Sequence, residues 1–158
     1  RTNCTFSSID LLDIDSVMNL GDRYNSIFHL GAIIGVNHVL NRPYQVLYDN
    51  IRMLANIIDL AHSQTNLSRL CFASTSEVYG SAKYLPIDEL HPLNAQSPYA
   101  ASKISADQLS LSYYNSFNIP LKIVRPFNVY EFLIGFAGLL IPFVCLLDSC
   151  VNEQKKAS

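Results

Sequence analysis

Two short stretches of this chain carry side chains whose types and spacing suit proton transfer. Tyr99-Ala-Ala-Ser-Lys103 sets a phenol and an ammonium four residues apart, which on a helix puts one above the other on the same face. A free tyrosine titrates near 10, and a neighbouring cation favours its phenolate, so the spacing predicts a Tyr99 tuned downward to accept a hydroxyl proton. Upstream, Ser74-Thr75-Ser76-Glu77 gathers three hydroxyls and a carboxylate at the end of an apolar run. The Tyr-Lys spacing alone is weak: nine tyrosines and five lysines in 158 residues give about 0.3 accidental matches. Its setting decides.

The setting is an alternation of apolar strands and helices. Thr5 to Ile9, Asn25 to Leu30, Leu70 to Ala73 and Leu121 to Val124 read as strands. Asp10, Asp13 and Asp15 lead into the apolar run 16–20, as acidic residues do at a helix N-terminus. Ile51, Leu54, Ala55, Ile58 and Ala61 recur at helical spacing within 49–61, and Pro98 opens a helix from Tyr99 to about Ser116. This order predicts an α/β fold, a doubly wound parallel sheet covered on both faces. Ligands of such sheets bind at the carboxyl ends of the strands, after Leu30, Ala73 and Val124. The polar clusters stand there.

Composition excludes other classes. The net charge is −2 with no basic run, which argues against nucleic acid as a partner. The four cysteines form no C-x-x-C pair and the four histidines are dispersed, so no metal is assigned and a reduced, cytoplasmic protein is expected. The run 132–147 is short for a membrane span and holds Pro142, which argues against a membrane role; a buried helix or a tail foreign to the fold is the expectation.

Phe72-Ala-Ser-Thr-Ser-Glu-Val-Tyr-Gly80, Pro98-Tyr-Ala-Ala-Ser-Lys103 and Arg125-Pro-Phe-Asn-Val-Tyr130 resemble, in order and spacing, the extended short-chain dehydrogenases that act on nucleotide sugars, the NAD-dependent epimerases and dehydratases. Phe28-His-Leu-Gly-Ala32 resembles that family's strand ending beside the cofactor. The resemblance spans about Ile9 to Tyr130 and implies a Rossmann-like sheet, NAD as cofactor and a nucleotide sugar as substrate. It implies Thr75, Ser76, Glu77, Tyr99 and Lys103 as catalytic residues. Asp10, Leu11, Leu30, Gly31, Ala32, Asn50, Tyr99 and Lys103 would meet the cofactor, and Thr75 and Asn128 the substrate. Tyr99 would take the sugar hydroxyl proton as hydride leaves, Lys103 would bind the nicotinamide ribose, and Asn50 would support the helix and the proton route.

Thr75-Ser76-Glu77 resembles the 4,6-dehydratase pattern, in which an acid or base after the threonine removes the C5 proton and helps expel the C6 hydroxyl. A 4-epimerase or a decarboxylase of the same family shares the Tyr-Lys pair. Each residue also has a plain structural reading: Thr75 and Ser76 as turn bonds, Glu77 as a solvated charge, Asn50 as a helix cap.

The domain reading is a partial NAD-binding domain over 1–130 and, over 131–158, an apolar then polar tail unlike the family. The family's first strand, glycine-rich phosphate loop and C-terminal substrate lobe have no counterpart in the sequence, so the segment alone is expected to be inactive. A non-catalytic remnant is the alternative reading. Homodimerisation through helices 49–61 and 99–116 is the remaining expectation.

Overall fold

The computed structural model describes residues 6–33 and 41–127, and the backbone of 144–148. A short helix α1 (Ile14–Met18) precedes strand β1 (Tyr24–His29), the long helix α2 (Pro43–Ser63) and strand β2 (Arg69–Ala73). A 3₁₀ turn (Ser76–Tyr79), helix α3 (Pro98–Phe117) and strands β3 (Leu121–Val124) and β4 (Val144–Asp148) follow.

The sheet runs in the order β3-β2-β1-β4. β1 and β2 are parallel, with Ile27 opposite Leu70, and β2 and β3 are parallel, with Phe72 opposite Ile123. The parallel α/β class therefore stands. Side chains alternate across the pleat. Ile27, Leu70 and Phe72 enter a core with Met53, Leu54, Ile57, Ile58 and Leu60 of α2 and Ala106 of α3. Phe28, Cys71 and Ala73 point to the other face and are half-buried. The described helices α2 and α3 pack on the face that carries Ile27, Leu70 and Phe72.

Local bonds hold the frame. Asp13 caps α1 by accepting from the Asp15 N–H. Buried Gln64 accepts from the Tyr24 N–H at 2.8 Å and donates to the Gly21 carbonyl at 2.9 Å, tying the end of α2 to the start of β1. Asn56 donates from α2 to the Leu11 carbonyl at 2.8 Å.

Three sequence expectations change. Phe6 to Ile9 is irregular, Phe6 being 83% exposed, so no core pairing draws that stretch into a strand; Thr5 lies outside the described residues. α2 begins six residues before Asp49, at Pro43, whose fixed φ suits a first helical position. Its buried face turns on Met53, Leu54, Ile57 and Ile58, with Ile51 and Ala55 only half-buried. Residues 144–148, at the end of the 132–147 run, form a strand antiparallel to β1 rather than a helix. β1 would otherwise present an open row of N–H and C=O groups on that side, which an apolar segment satisfies by pairing. The rest of that run lies outside the described residues.

Candidate active site

The site lies where β2 and β3 end. The ladder between these strands continues past them: the Ser74 N–H donates to the Val124 carbonyl at 2.8 Å and the Ser76 N–H to the Pro126 carbonyl at 3.1 Å. The hydroxyl-rich turn and the Arg125-Pro-Phe segment therefore run side by side. Thr75, in extended backbone, opens the 3₁₀ turn by accepting from the Glu77 N–H at 3.3 Å. The turn closes on Gly80, whose φ of +60° and contact with the Asn94 carbonyl leave no room for a Cβ, which would stand 2.1 Å from that oxygen.

α3 brings the second half. Ser97 caps it by accepting from the Ala100 N–H at 3.0 Å, and Pro98 occupies its first turn. The face turned to the sheet is small and polar: Ala100, Ser102, Lys103, Ala106, Asp107 and Ser110 are buried. Lys103 is 4% exposed; its Nζ donates to the Ala73 carbonyl at 2.7 Å and stands 4.8 Å from the Phe72 ring centroid and 5.9 Å from that of Tyr99. Burial drives its pKa down to about 8, with Asp107 opposing the fall.

Tyr99 is half-buried, and here the expected tuning is reversed. Burial first, and the Glu77 carboxylate second, push its phenol above the usual tyrosine range. Lys103 does not pull it down, because its ammonium is turned to the Ala73 carbonyl on the sheet side of the ring. Glu77 is exposed, and its carboxylate makes no hydrogen bond among the described residues; with Gly80, Gln96, Ser97 and Ala100 it lines a shallow, open depression of about 260 Å³. Tyr99 is thus flanked by the Glu77 carboxylate and, 5.9 Å from its ring centroid, the Lys103 ammonium, with Thr75 and Ser76, both half-buried, on the turn that carries Glu77.

The residues read as cofactor contacts divide. At the end of β1, Leu30 is 49% exposed while Gly31 and Ala32 are buried. Asn50 is not a helix cap: from within α2 it accepts from the Ile33 N–H at 2.7 Å and donates to the Ile33 carbonyl at 3.1 Å, clamping the segment after Ala32. Asp10 is exposed and accepts from the Leu12 N–H at 2.9 Å, and Leu11 is buried in the core, 3% exposed. Asn128 lies outside the described residues.

Sequence reasoning missed a buried group behind Lys103. Asp107, wholly buried, accepts from Arg125 Nε at 3.0 Å, and the same guanidinium donates to the Tyr79 hydroxyl at 3.3 Å. Tyr79 stacks on Phe127 and meets buried His91 edge-on. His29, also buried, lies against Phe72, and burial, with Lys103 nearby, lowers its pKa to about 3. The available signal was the Lys103-Asp107 spacing of four, an opposite-charge pair on one helix face.

A family model described as GDP-mannose 4,6 dehydratase matches residues 1–139. The chain is 29% identical over 130 residues to UDP-glucuronate 4-epimerase of Thermodesulfobacterium geofontis, covering 81% of this chain and 40% of that protein. Among solved structures it resembles RMD from Pseudomonas aeruginosa complexed with NADPH, with 26% identity, a TM-score of 0.71, and 77% of this chain and 43% of that one covered. It also resembles DesIV, a dTDP-glucose 4,6-dehydratase from Streptomyces venezuelae with NAD and TYD bound, with 26% identity, a TM-score of 0.67, and coverage of 73% and 36%. The chain spans less than half the length of each of these proteins.

Proposed function

The chain belongs to the GDP-mannose 4,6 dehydratase family of NAD-dependent epimerases and dehydratases, and from that premise we propose that it carries the reaction centre of a nucleotide-sugar 4,6-dehydratase. The observation behind this reading is that Tyr99 stands between two charged groups: the Glu77 carboxylate, which makes no hydrogen bond among the described residues and acts on the phenol, and the Lys103 ammonium, 5.9 Å from its ring centroid.

The residues fit NAD at its nicotinamide end. Lys103 spends one of its three donors on the Ala73 carbonyl and keeps two for ribose hydroxyls, and the buried small residues Gly31 and Ala32 leave a close approach at the end of β1. NAD, when bound, would take the C4 hydride and give it back at C6 once water has left, as C5 regains a proton, and its positive ring would favour the Tyr99 phenolate. Tyr99 takes the proton of the sugar C4 hydroxyl, which Thr75 holds by a hydrogen bond. The resulting ketone makes the C5 proton acidic. Glu77 removes that proton and returns it to the C6 oxygen, which leaves as water with Ser76 as a hydrogen-bond partner. Asn50 acts by holding the Ile33 backbone, Asn128 by contact with the substrate diphosphate, and the outer faces of α2 and α3 serve as a homodimer surface.

A 4-epimerase is the second reading, favoured by the similarity to an enzyme named as one. It requires Thr75, Tyr99 and Lys103 but gives Glu77 no task. The test is a chimera in which this chain, up to Phe127, replaces the matching segment of the Streptomyces venezuelae dehydratase. Solvent deuterium incorporation at C5 and 4-keto-6-deoxy sugar formation are followed with dTDP-glucose, GDP-mannose and UDP-N-acetylglucosamine. Glu77→Gln should preserve hydride transfer and slow elimination by roughly 10²- to 10⁴-fold, the usual worth of a general base, whereas Tyr99→Phe should stop the first step. Elimination at the unmutated rate in Glu77→Gln would hand the assignment to the epimerase.

A further inference from the structure

A wholly buried carboxylate stands one helical turn beyond Lys103 and takes no part in the steps above. Asp107 is 0% exposed, and its Oδ2 accepts from Arg125 Nε at 3.0 Å, while Oδ1 and the buried Ser74 hydroxyl have no closed hydrogen bond among the described residues. Burying a carboxylate is costly, and a surface ion pair would be the cheaper home for one guanidinium. The position faces two cations instead: Arg125 from the segment after β3, and Lys103 from its own helix.

We propose that Asp107 is the positioning residue of the site: paired to Arg125 and one turn from Lys103, its carboxylate keeps the Lys103 ammonium charged and held at the Ala73 carbonyl, beside Tyr99. The inference rests on the reading of Lys103 as the working cation. Among the described residues, every other group facing Lys103 leaves it without a counter-charge. From β1 comes His29, a neutral imidazole at any pH above about 3. From β2 come the Phe72 ring and the Ala73 carbonyl, and from α3 the Tyr99 phenol, neutral through the physiological range. Glu77 faces Tyr99 from the exposed side of the site. Asp107 is the anion that offsets the burial of the Lys103 charge, and the direction of its influence on Lys103 agrees.

The same carboxylate couples the lysine to the far wall. Arg125 joins Asp107 to the Tyr79 hydroxyl, so helix α3, the segment after β3 and the 3₁₀ turn bearing Glu77 share one anchor.

The test reads the lysine itself. The 158-residue chain is labelled with [¹³Cε]lysine, and the Lys103 signal is assigned by its loss in Lys103→Arg. In Asp107→Asn the Lys103 titration midpoint should fall by about one pH unit, roughly a tenfold loss of proton affinity, and Asp107→Glu should restore most of it. If Asp107→Asn does not fold, Asp107→Asn/Arg125→Gln, which removes the stranded guanidinium too, is compared with Arg125→Gln and should show the same fall. An unchanged midpoint in a folded variant overturns the proposal and leaves Asp107 a purely structural anchor. The outcome is independent of the chimera experiment, since the titration needs neither cofactor nor turnover.

Discussion

The Lys103 ammonium donates to the Ala73 carbonyl at 2.7 Å, so the cation of the Tyr-Lys pair is anchored to the end of β2 rather than to the phenol four residues before it. Burial brings its pKa from 10.5 to about 8. The unfolded chain therefore binds more protons between those two values, and the Lys103 contribution to stability rises with pH across that window. The stability of the natural chain relative to Lys103→Gln should increase by up to about 3 kcal/mol from pH 8 to pH 10.5, measured by urea unfolding at each pH. A pH-independent difference would mean that the lysine is solvated.

His29 predicts a loss on the acid side. Its folded pKa of about 3 lies below the ordinary 6.5, so the unfolded chain again binds the extra proton, now between those values. Stability from a neutral His29 is complete above pH 6.5 and drains away as the pH falls towards 3, by up to about 5 kcal/mol. His29→Phe keeps a ring against Phe72 and should flatten that limb of the pH–stability curve relative to the natural chain. Parallel curves would show that the imidazole is hydrated.

The strands were legible because each is a short apolar run: β1, β2 and β3 lie within a residue or two of where the sequence places them. α3 was legible for a different reason. Its sheet-facing side is Ala, Ser, Lys and Asp rather than an apolar stripe, and only Pro98 and the Tyr-Lys spacing mark it. The start of α2 was hidden because Arg42 makes no side-chain cap and exposed Tyr44 and Tyr48 blur the apolar face. Spacing put Lys103 on the face of Tyr99 but says nothing about where an ammonium donates its protons. The Asp107–Arg125 pair was out of reach for a related reason: its partners are 18 residues apart and meet only after β3 returns the chain to the sheet.

Gly80 is the tightest point of the site loop. Alanine there would carry a Cβ 2.1 Å from the Asn94 carbonyl oxygen, at a φ of +60°. The carbonyl has no slack, because the Asn94 N–H donates to Val78 at 2.8 Å. Gly80→Ala should cost about 2–4 kcal/mol, the range of a strained backbone combined with a displaced loop. A urea midpoint within error of the natural chain would show that the loop yields freely.

NAD should bind this 158-residue chain alone only weakly. On the proposed reading Tyr99, Lys103, Gly31 and Ala32 meet the nicotinamide ribose, but a dinucleotide also carries a pyrophosphate whose charge is ordinarily met by backbone N–H groups at a helix N-terminus. The two long described helices offer little of that kind. α2 starts with Pro43 after an Arg42 that makes no side-chain cap, and α3 starts with Pro98 while Ser97 already occupies the Ala100 N–H. Proline has no N–H to give. With only one end of the ligand gripped, affinity should be in the millimolar range, on the order of 4 kcal/mol of binding free energy. Calorimetric titration should then show no saturation below about 0.1 mM, while NMR perturbations should cluster around Gly31, Tyr99 and Lys103. Saturable low-micromolar binding would refute the argument and imply a pyrophosphate site formed by other parts of the chain.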